Sequence, residues 1–386
     1  MTYTPDAPAT DLTTPVTPGS PDTPAMPEMP RNWTVAHDFC FDFGGAERVS
    51  ALLSQEVAGD GPLISLGGDA TMFEDAGIDE ITIRHPRTFR EGSYRQASLA
   101  MPLLSRATAP VEGNLLASSY AFSHHVRATG KKVVYCHTPL RQVWSGAEMY
   151  SSSLPAPLRG AANGAMGVLR AMDRRAAQEA SAYVANSHAV AQRVEQFYGI
   201  EPAAVAHPPY DPQFHPRDIP REDTYVWVGR IVEPYKRVEP LIESFRDHPE
   251  RRLIIIGDGR DAARLRATAP PNVSFVGPRS TAEIAEAYCS ARAVLFPSED
   301  DFGLVPVEAM ACGTPVVALG RGGALETVVE GETGVLFPEP TPTHISAALD
   351  RFEEATWDEE AISRYARTTF SRETFVRVMR QVLHAA

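Results

Sequence analysis

The chain has 386 residues, 43% hydrophobic and 22% charged, with a formal net charge of −13. That length exceeds one ordinary core and predicts two domains, the composition is that of a globular protein in water, and the negative charge argues against a nucleic-acid surface. No apolar run is long enough to span a bilayer, and Cys40, Cys136, Cys289 and Cys312 sit far apart in apolar runs, as buried reduced thiols rather than metal ligands.

Residues 1–30 are rich in Pro and Thr, acidic, and without Lys or Arg before Arg31. Such a segment cannot bury enough apolar surface to offset its ordering entropy, which predicts a disordered tail. It also lacks the basic cluster and apolar stretch of a signal peptide, so the expected location is the cytoplasm.

From Trp33 onward short apolar strands alternate with helical patterns. "WTVAHDF", "PLISL", "NLLASS", "KVVYCHT" and "AYVANS" form one set, and "TYVWVGR", "RLIIIGDG", "VSFVG", "AVLFPS" and "PVVALG" a second. Helical stretches such as "GGAERVSALLSQEV" and "RVEPLIESFRD" follow them, the pattern of open parallel sheets. The expected fold class is therefore α/β, with two Rossmann-like domains at 31–208 and 209–369. They join in the proline-rich run "AHPPYDPQFHPRDIPRED", and a C-terminal helix at about 370–386 returns to the first domain. Ligands of such sheets sit beyond the carboxyl ends of the strands, so a cleft between two facing sheets is the expected site.

Several strand ends carry chemistry. In "DFCFDFGGAERV", Gly44 and Gly45 open a helix, and in "YCHTP" His137 ends a strand. "VWVGRIVEPYKRVE" places Arg230 at a strand end and Lys236 before a helix, a pair suited to a diphosphate, although a solvated basic turn reads the same way. Gly257, Gly259 and Ala262 match the dinucleotide fingerprint G-x-G-x-x-A, but Pro278 and Arg279 follow the next strand where a ribose-binding acid belongs, which favours a tight turn. "PSEDDFGLVPVEAMACGTPVVA" is the most informative stretch. Gly303 permits close approach and Pro306 suits a first helical turn, so the backbone N–H groups form an anion site. Capping explains one of Glu299, Asp300 and Asp301, yet not Glu308, whose neighbours Val307, Ala309 and Met310 read as buried; a buried carboxylate requires a partner.

The run Asp300 to Glu308, with "GR...YKR", "GG.E", "CHTP", "ANS" and "GRGGALETVVEG.TG", resembles glycosyltransferase family 4, of the two-domain GT-B fold, over nearly all of the chain from Trp33. Within that family the chain resembles the mannosyltransferase-like enzymes of surface-polysaccharide assembly. The resemblance implies retaining transfer of a hexosyl, mannosyl group from a nucleotide diphosphate sugar to a hydroxyl acceptor. It assigns Glu308 to the ribose, Asp300 to the transferred sugar, the backbone of Phe302, Gly303, Leu304 and Val305 to sugar and diphosphate, Arg230 and Lys236 to the diphosphate, Gly44 and Gly45 to the N-terminal glycine loop, and His137 to the reacting sugar. The family's first acid is usually Glu, so the shorter Asp300 is a departure. No Asp-x-Asp pair is placed for Mg²⁺, hence no metal and no cofactor are expected, the cations and a helix N-terminus stabilising the departing diphosphate. A GT-B nucleotide-sugar epimerase and an inactive nucleotide-sugar-binding protein are the competing readings. Arg84, Arg90, Arg95 and Arg106 with Leu103 and Leu104 allow a lipid-linked acceptor and peripheral contact with the inner face of the cell membrane; an ordinary basic loop is the plainer reading.

Overall fold

The computed structural model describes residues 26–28, 32–41, 43–78, 81–85, 101–141, 143–145 and 156–386, with the backbone alone at 75, 105, 106 and 156–163. The predicted tail up to residue 25, and Arg90 and Arg95 of the basic stretch, lie outside the described residues.

Two compact units account for the described chain, one containing residues up to His207 together with Glu373–Ala386, the other running from Pro208 to Arg372. In the first, β1 (Trp33–Cys40), β2 (Leu63–Gly68), β3 (Ile81–Ile83), β4 (Asn114–Ser119), β5 (Lys132–Cys136), β6 (Ala182–Ala185) and β7 (Ala204–Val205) form a parallel sheet in the order β3-β2-β1-β4-β5-β6-β7. In the second, β8 (Thr224–Val228), β9 (Arg252–Ile256), β10 (Val273–Gly277), β11 (Ala293–Phe296), β12 (Val316–Leu319) and β13 (Gly334–Phe337) pair in parallel as β10-β9-β8-β11-β12-β13. The strand order reverses between β1 and β4 in one sheet and between β8 and β11 in the other, and the carboxyl ends of these strands are where open α/β sheets bind ligands.

The sequence explains these sheets. Runs such as Arg252–Ile256 and Val316–Leu319 are dense in Val, Ile and Leu because helices cover both faces of a parallel sheet. The helix Val238–Arg246 buries Val238, Leu241, Ile242 and Phe245, one stripe at helical spacing. Ser280 and Glu283 close a reciprocal capping box on Thr281–Ser290, and Thr341 caps Pro342–Glu354. The last helix, Arg372–Ala385, places Phe375, Val376, Val378, Met379, Val382 and Leu383 in the core of the first unit, each worth about 1.5–3 kcal/mol of burial.

Three features differ from the sequence reading. β3, β7 and β13 were not foreseen; two are very short, and Gly334–Phe337 is embedded among turn residues. Within the stretch read as tail, residues 26–28 are described and make contacts: the carbonyl of Pro27 accepts a hydrogen bond from Arg380, and His384 Nε2 lies 2.8 Å from the carbonyl of Glu28. The G-x-G match is a packing device: a Cβ on Gly257, whose φ is +132°, would lie 1.9 Å from the carbonyl oxygen of Gly229, so two loops pass there only without a side chain.

Candidate active site

In the second unit, the loops after β8 and β11 bring the predicted charged groups together. Arg230 follows β8 and is exposed. Lys236 precedes the helix Val238–Arg246 and its Nζ lies 2.6 Å from Asp300 Oδ2, each side chain 28% exposed. The neighbouring Arg237 and Glu299 make a second, looser pair at 3.4 Å. Arg237 holds φ +52° without being glycine, a conformation that costs energy and persists only when the surroundings enforce it. One guanidinium nitrogen of Arg237, Nη1, and the hydroxyl of Ser298, one residue before Glu299, are buried without a hydrogen-bond partner. Buried donors of this kind are normally satisfied, and a ligand is one way to satisfy them.

Gly303 caps the helix Leu304–Ala311 at φ +84°, and a Cβ there would press on the Phe296 ring at 2.9 Å. Phe302 is buried against Phe370, with ring centroids 5.7 Å apart, so its side chain builds the core while the N–H groups of the helix's first turn stay aligned for an anion. Glu308 is only partly buried, which corrects the expectation of a carboxylate in the core. It lies close enough to the buried Tyr288 hydroxyl to help burial raise that group's pKa.

In the first unit, Gly44 and Gly45 open the helix Gly45–Leu52, and the Gly44 N–H donates to Glu47 Oε2 at 3.0 Å. His137 follows β5 and its Nε2 lies 2.8 Å from Ser118 Oγ. Burial, then the neighbouring His37, pushes the His137 pKa down to about 3, so its ring is neutral at ordinary pH. Next to it, Asp38 at the end of β1 accepts the N–H groups of Tyr120, Ala121, Phe122 and Ser123 with its two carboxylate oxygens, at 2.5–2.8 Å. This single side chain fixes the turn after β4. The sequence reading passed over Asp38 and His37, although an Asp and a His inside the apolar run "WTVAHDF" are themselves a signal.

A further buried cluster joins His124, His125 and Asp173 at metal-ligand distances. Both imidazole Nε2 atoms bond to Asp173 Oδ1, at 3.0 and 2.9 Å, while Trp144 Nε1–H and the Tyr198 hydroxyl donate to Oδ2. Burial alone raises the Asp173 pKa, but the two histidines outweigh it and hold the carboxyl below its usual range. With both oxygens occupied, the cluster serves as a hydrogen-bonded core of the first unit.

Comparison with known proteins bears on the fold and on the second unit. Residues 213–369 match the family model described as "Glycosyl transferases group 1". A D-inositol 3-phosphate glycosyltransferase of Mycobacterium sp. (strain KMS) is 33% identical over 196 residues, covering 44% of each chain, and that of Mycobacterium leprae (strain Br4923) is 32% identical over 205 residues, covering 46% of this chain and 47% of its own. These alignments thus span less than half the length of the relatives. Among solved structures, the Anabaena protein HepE in complex with UDP-glucose superposes with a TM-score of 0.66 at 18% identity, covering 92% of this chain and all of its own. A sucrose-phosphate synthase from Thermosynechococcus elongatus gives 0.64 at 16%, with the same coverage. The chain therefore has the fold of the GT-B glycosyltransferases, two Rossmann-like α/β units, and its second unit carries a glycosyl transferases group 1 domain.

Proposed function

We propose that the protein is a retaining glycosyltransferase that moves a hexosyl group, mannosyl if its resemblance to the mannosyltransferase-like enzymes extends to the donor, from a nucleotide diphosphate sugar to a hydroxyl acceptor. The observation that carries this reading is the Lys236–Asp300 pair at the β8/β11 switch point, beside the aligned N–H groups of the helix that Gly303 opens. Lys236 has three N–H donors, so it can keep Asp300 while meeting a phosphate oxygen. Arg230 adds a planar fork, and the unpartnered donors of Ser298 and Arg237 point to a polar ligand at the same edge. Glu308 takes the ribose hydroxyls and Asp300 a hydroxyl of the transferred sugar.

As the sugar–phosphate bond breaks, negative charge grows on the diphosphate. Two cations and a helix N-terminus stabilise it where they already stand, without reorganisation. His137, neutral, has the chemistry to orient a hydroxyl, and the first unit is assigned the acceptor. Support for the donor class comes from the group 1 match and from the UDP-glucose complex of HepE. The test is release of nucleoside diphosphate from a panel of UDP-, GDP- and ADP-hexoses, with and without soluble and lipid-linked alcohols, and again in EDTA. Acceptor-dependent release that persists in EDTA supports the reading; release without any acceptor, or turnover only with added Mg²⁺ or Mn²⁺, contradicts it.

A further inference from the structure

The first unit contains a continuous hydrogen-bonded chain that ends on His137. Glu47 Oε1 lies 3.3 Å from His37 Nε2, His37 Nδ1 lies 2.7 Å from Ser50 Oγ, Ser50 Oγ lies 2.8 Å from Ser118 Oγ, and Ser118 Oγ lies 2.8 Å from His137 Nε2. His37, Ser50 and Ser118 are completely buried and Glu47 nearly so. The chain crosses β1, the helix Gly45–Leu52, β4 and the residue after β5, elements drawn from a hundred residues of sequence. Polar groups at such depth are costly unless every one is satisfied, and this chain satisfies them in series.

Each hydroxyl has one proton and each neutral imidazole one N–H, so the contacts cannot be filled independently. An ionised Glu47 only accepts, and its second oxygen already takes the Gly44 N–H. With His37 as a neutral imidazole, its proton therefore sits on Nε2 and the Nδ1 lone pair turns to Ser50. Ser50 also lies 2.9 Å from the carbonyl of Ala46, but a proton sent there would leave two lone pairs facing each other at 2.7 Å. Ser50 thus donates to His37, Ser118 donates to Ser50, and His137 donates from Nε2 to Ser118. Its Nδ1 is left as a lone pair, and no described residue meets it.

We infer that Glu47, His37, Ser50 and Ser118 are positioning residues that fix His137 as the Nε2–H tautomer and so present its Nδ1 as a hydrogen-bond acceptor for a substrate hydroxyl. The substrate half of this inference rests on the glycosyltransferase reading; the tautomer half does not. With His37 neutral, the direction of every proton follows from one carboxylate at the far end. Replacing that carboxylate by an amide reverses the direction. In Glu47→Gln the Gly44 N–H claims the amide oxygen, the amide NH₂ faces His37 Nε2 as a donor, and His37 must move its proton to Nδ1. Ser50 then donates to Ser118, Ser118 to His137 Nε2, and His137 carries its proton on Nδ1.

Long-range ¹H–¹⁵N spectra of the full-length ¹⁵N-labelled chain read this directly, with the His137 signals identified by their loss in His137→Gln. The wild type is expected to show a protonated Nε2 and a bare Nδ1, and Glu47→Gln the reverse. Ser118→Ala cuts the chain, so adding Glu47→Gln to it leaves the His137 signals where Ser118→Ala alone puts them. A wild-type His137 protonated on Nδ1 overturns the inference whether or not any variant folds, and so does an unchanged tautomer in a folded Glu47→Gln. In the transfer assay Glu47→Gln should lower kcat about tenfold with donor KM unchanged, the size of one lost hydrogen bond. A reversed tautomer with unchanged kcat would confirm the chain while removing His137 from the reaction.

Discussion

The two switch points are built from opposite materials. Between β8 and β11 the sheet ends in formal charges, the pairs Lys236–Asp300 and Arg237–Glu299, held at the surface where water still reaches them. Between β1 and β4 it ends in buried, mostly neutral groups, in which Asp38 ties down a turn and His37, Ser50, Ser118 and His137 share protons. A diphosphate needs positive charge that can exchange its partners on binding, whereas a hydroxyl needs a donor or acceptor aimed in one direction. One fold, used twice, can present either kind of edge, because the strand ends accept whichever residues the loops supply.

This contrast has consequences of graded size. Asp173→Ala removes the acceptor of four buried donors and should destabilise the first unit by about 3–5 kcal/mol, as breaking a buried ionic network does. Limited proteolysis should then cut the first unit and spare the second; equal loss of both would show that the units do not unfold separately. Lys236→Ala should leave the melting temperature close to wild type and lower transfer about 10²- to 10³-fold, the scale of one lost transition-state donor. An effect confined to stability would reduce the Lys236–Asp300 pair to a surface ion pair, worth at most about 1 kcal/mol.

The two acids differ by a smaller margin. Glu308→Gln should raise donor KM and Asp300→Asn should lower kcat, each about ten- to a hundredfold, the cost of one charged hydrogen bond. Steady-state kinetics showing the pattern exchanged would exchange their roles.

Acid should act on the first unit. His137 and His125, pushed down to about 3 and about 4 chiefly by burial, bind protons less readily folded than unfolded. Between about pH 6.5 and those values the unfolded chain carries the extra protons, so stability falls as the pH drops. The expected slope is about 1.4 kcal/mol per pH unit for each histidine at full weight, flattening below the folded values. Asp173, whose folded pKa is depressed, adds stability that is present above about pH 4 and fades as the pH falls further. Urea titrations at stepwise pH, read by near-ultraviolet circular dichroism, would show the slope; stability constant from pH 7 to 5 would contradict it. The smallest effect belongs to the N terminus: removing residues 1–25 should leave the melting temperature unchanged, and extending the deletion through Glu28 should cost about 1 kcal/mol, for the partly exposed contacts of Arg380 and His384.

How far this was legible in the sequence follows the same division. The strands that carry long Val and Ile runs could be read one by one, whereas Ala204–Val205 and Ile81–Ile83 are shorter than any periodicity can register. The charged edge was visible because Lys236, Asp300 and Gly303 are conspicuous beside apolar runs. The chain from Glu47 to His137 was not, since Ser50 and Ser118 look like ordinary helix and strand residues until the register of β1 beside β4, with His37 opposite Ser118, brings them together. Burial of Glu308 was misjudged for a related reason: the sequence around it is apolar, but a helix turns one face outward.

Calorimetric titration of UDP and GDP into the wild type, Lys236→Ala and Ser118→Ala separates the two edges in one measurement. Nucleotide binding at the β8/β11 edge predicts an affinity about ten- to a hundredfold weaker in Lys236→Ala and unchanged in Ser118→Ala. Equal affinity in wild type and Lys236→Ala, or a loss confined to Ser118→Ala, would contradict it.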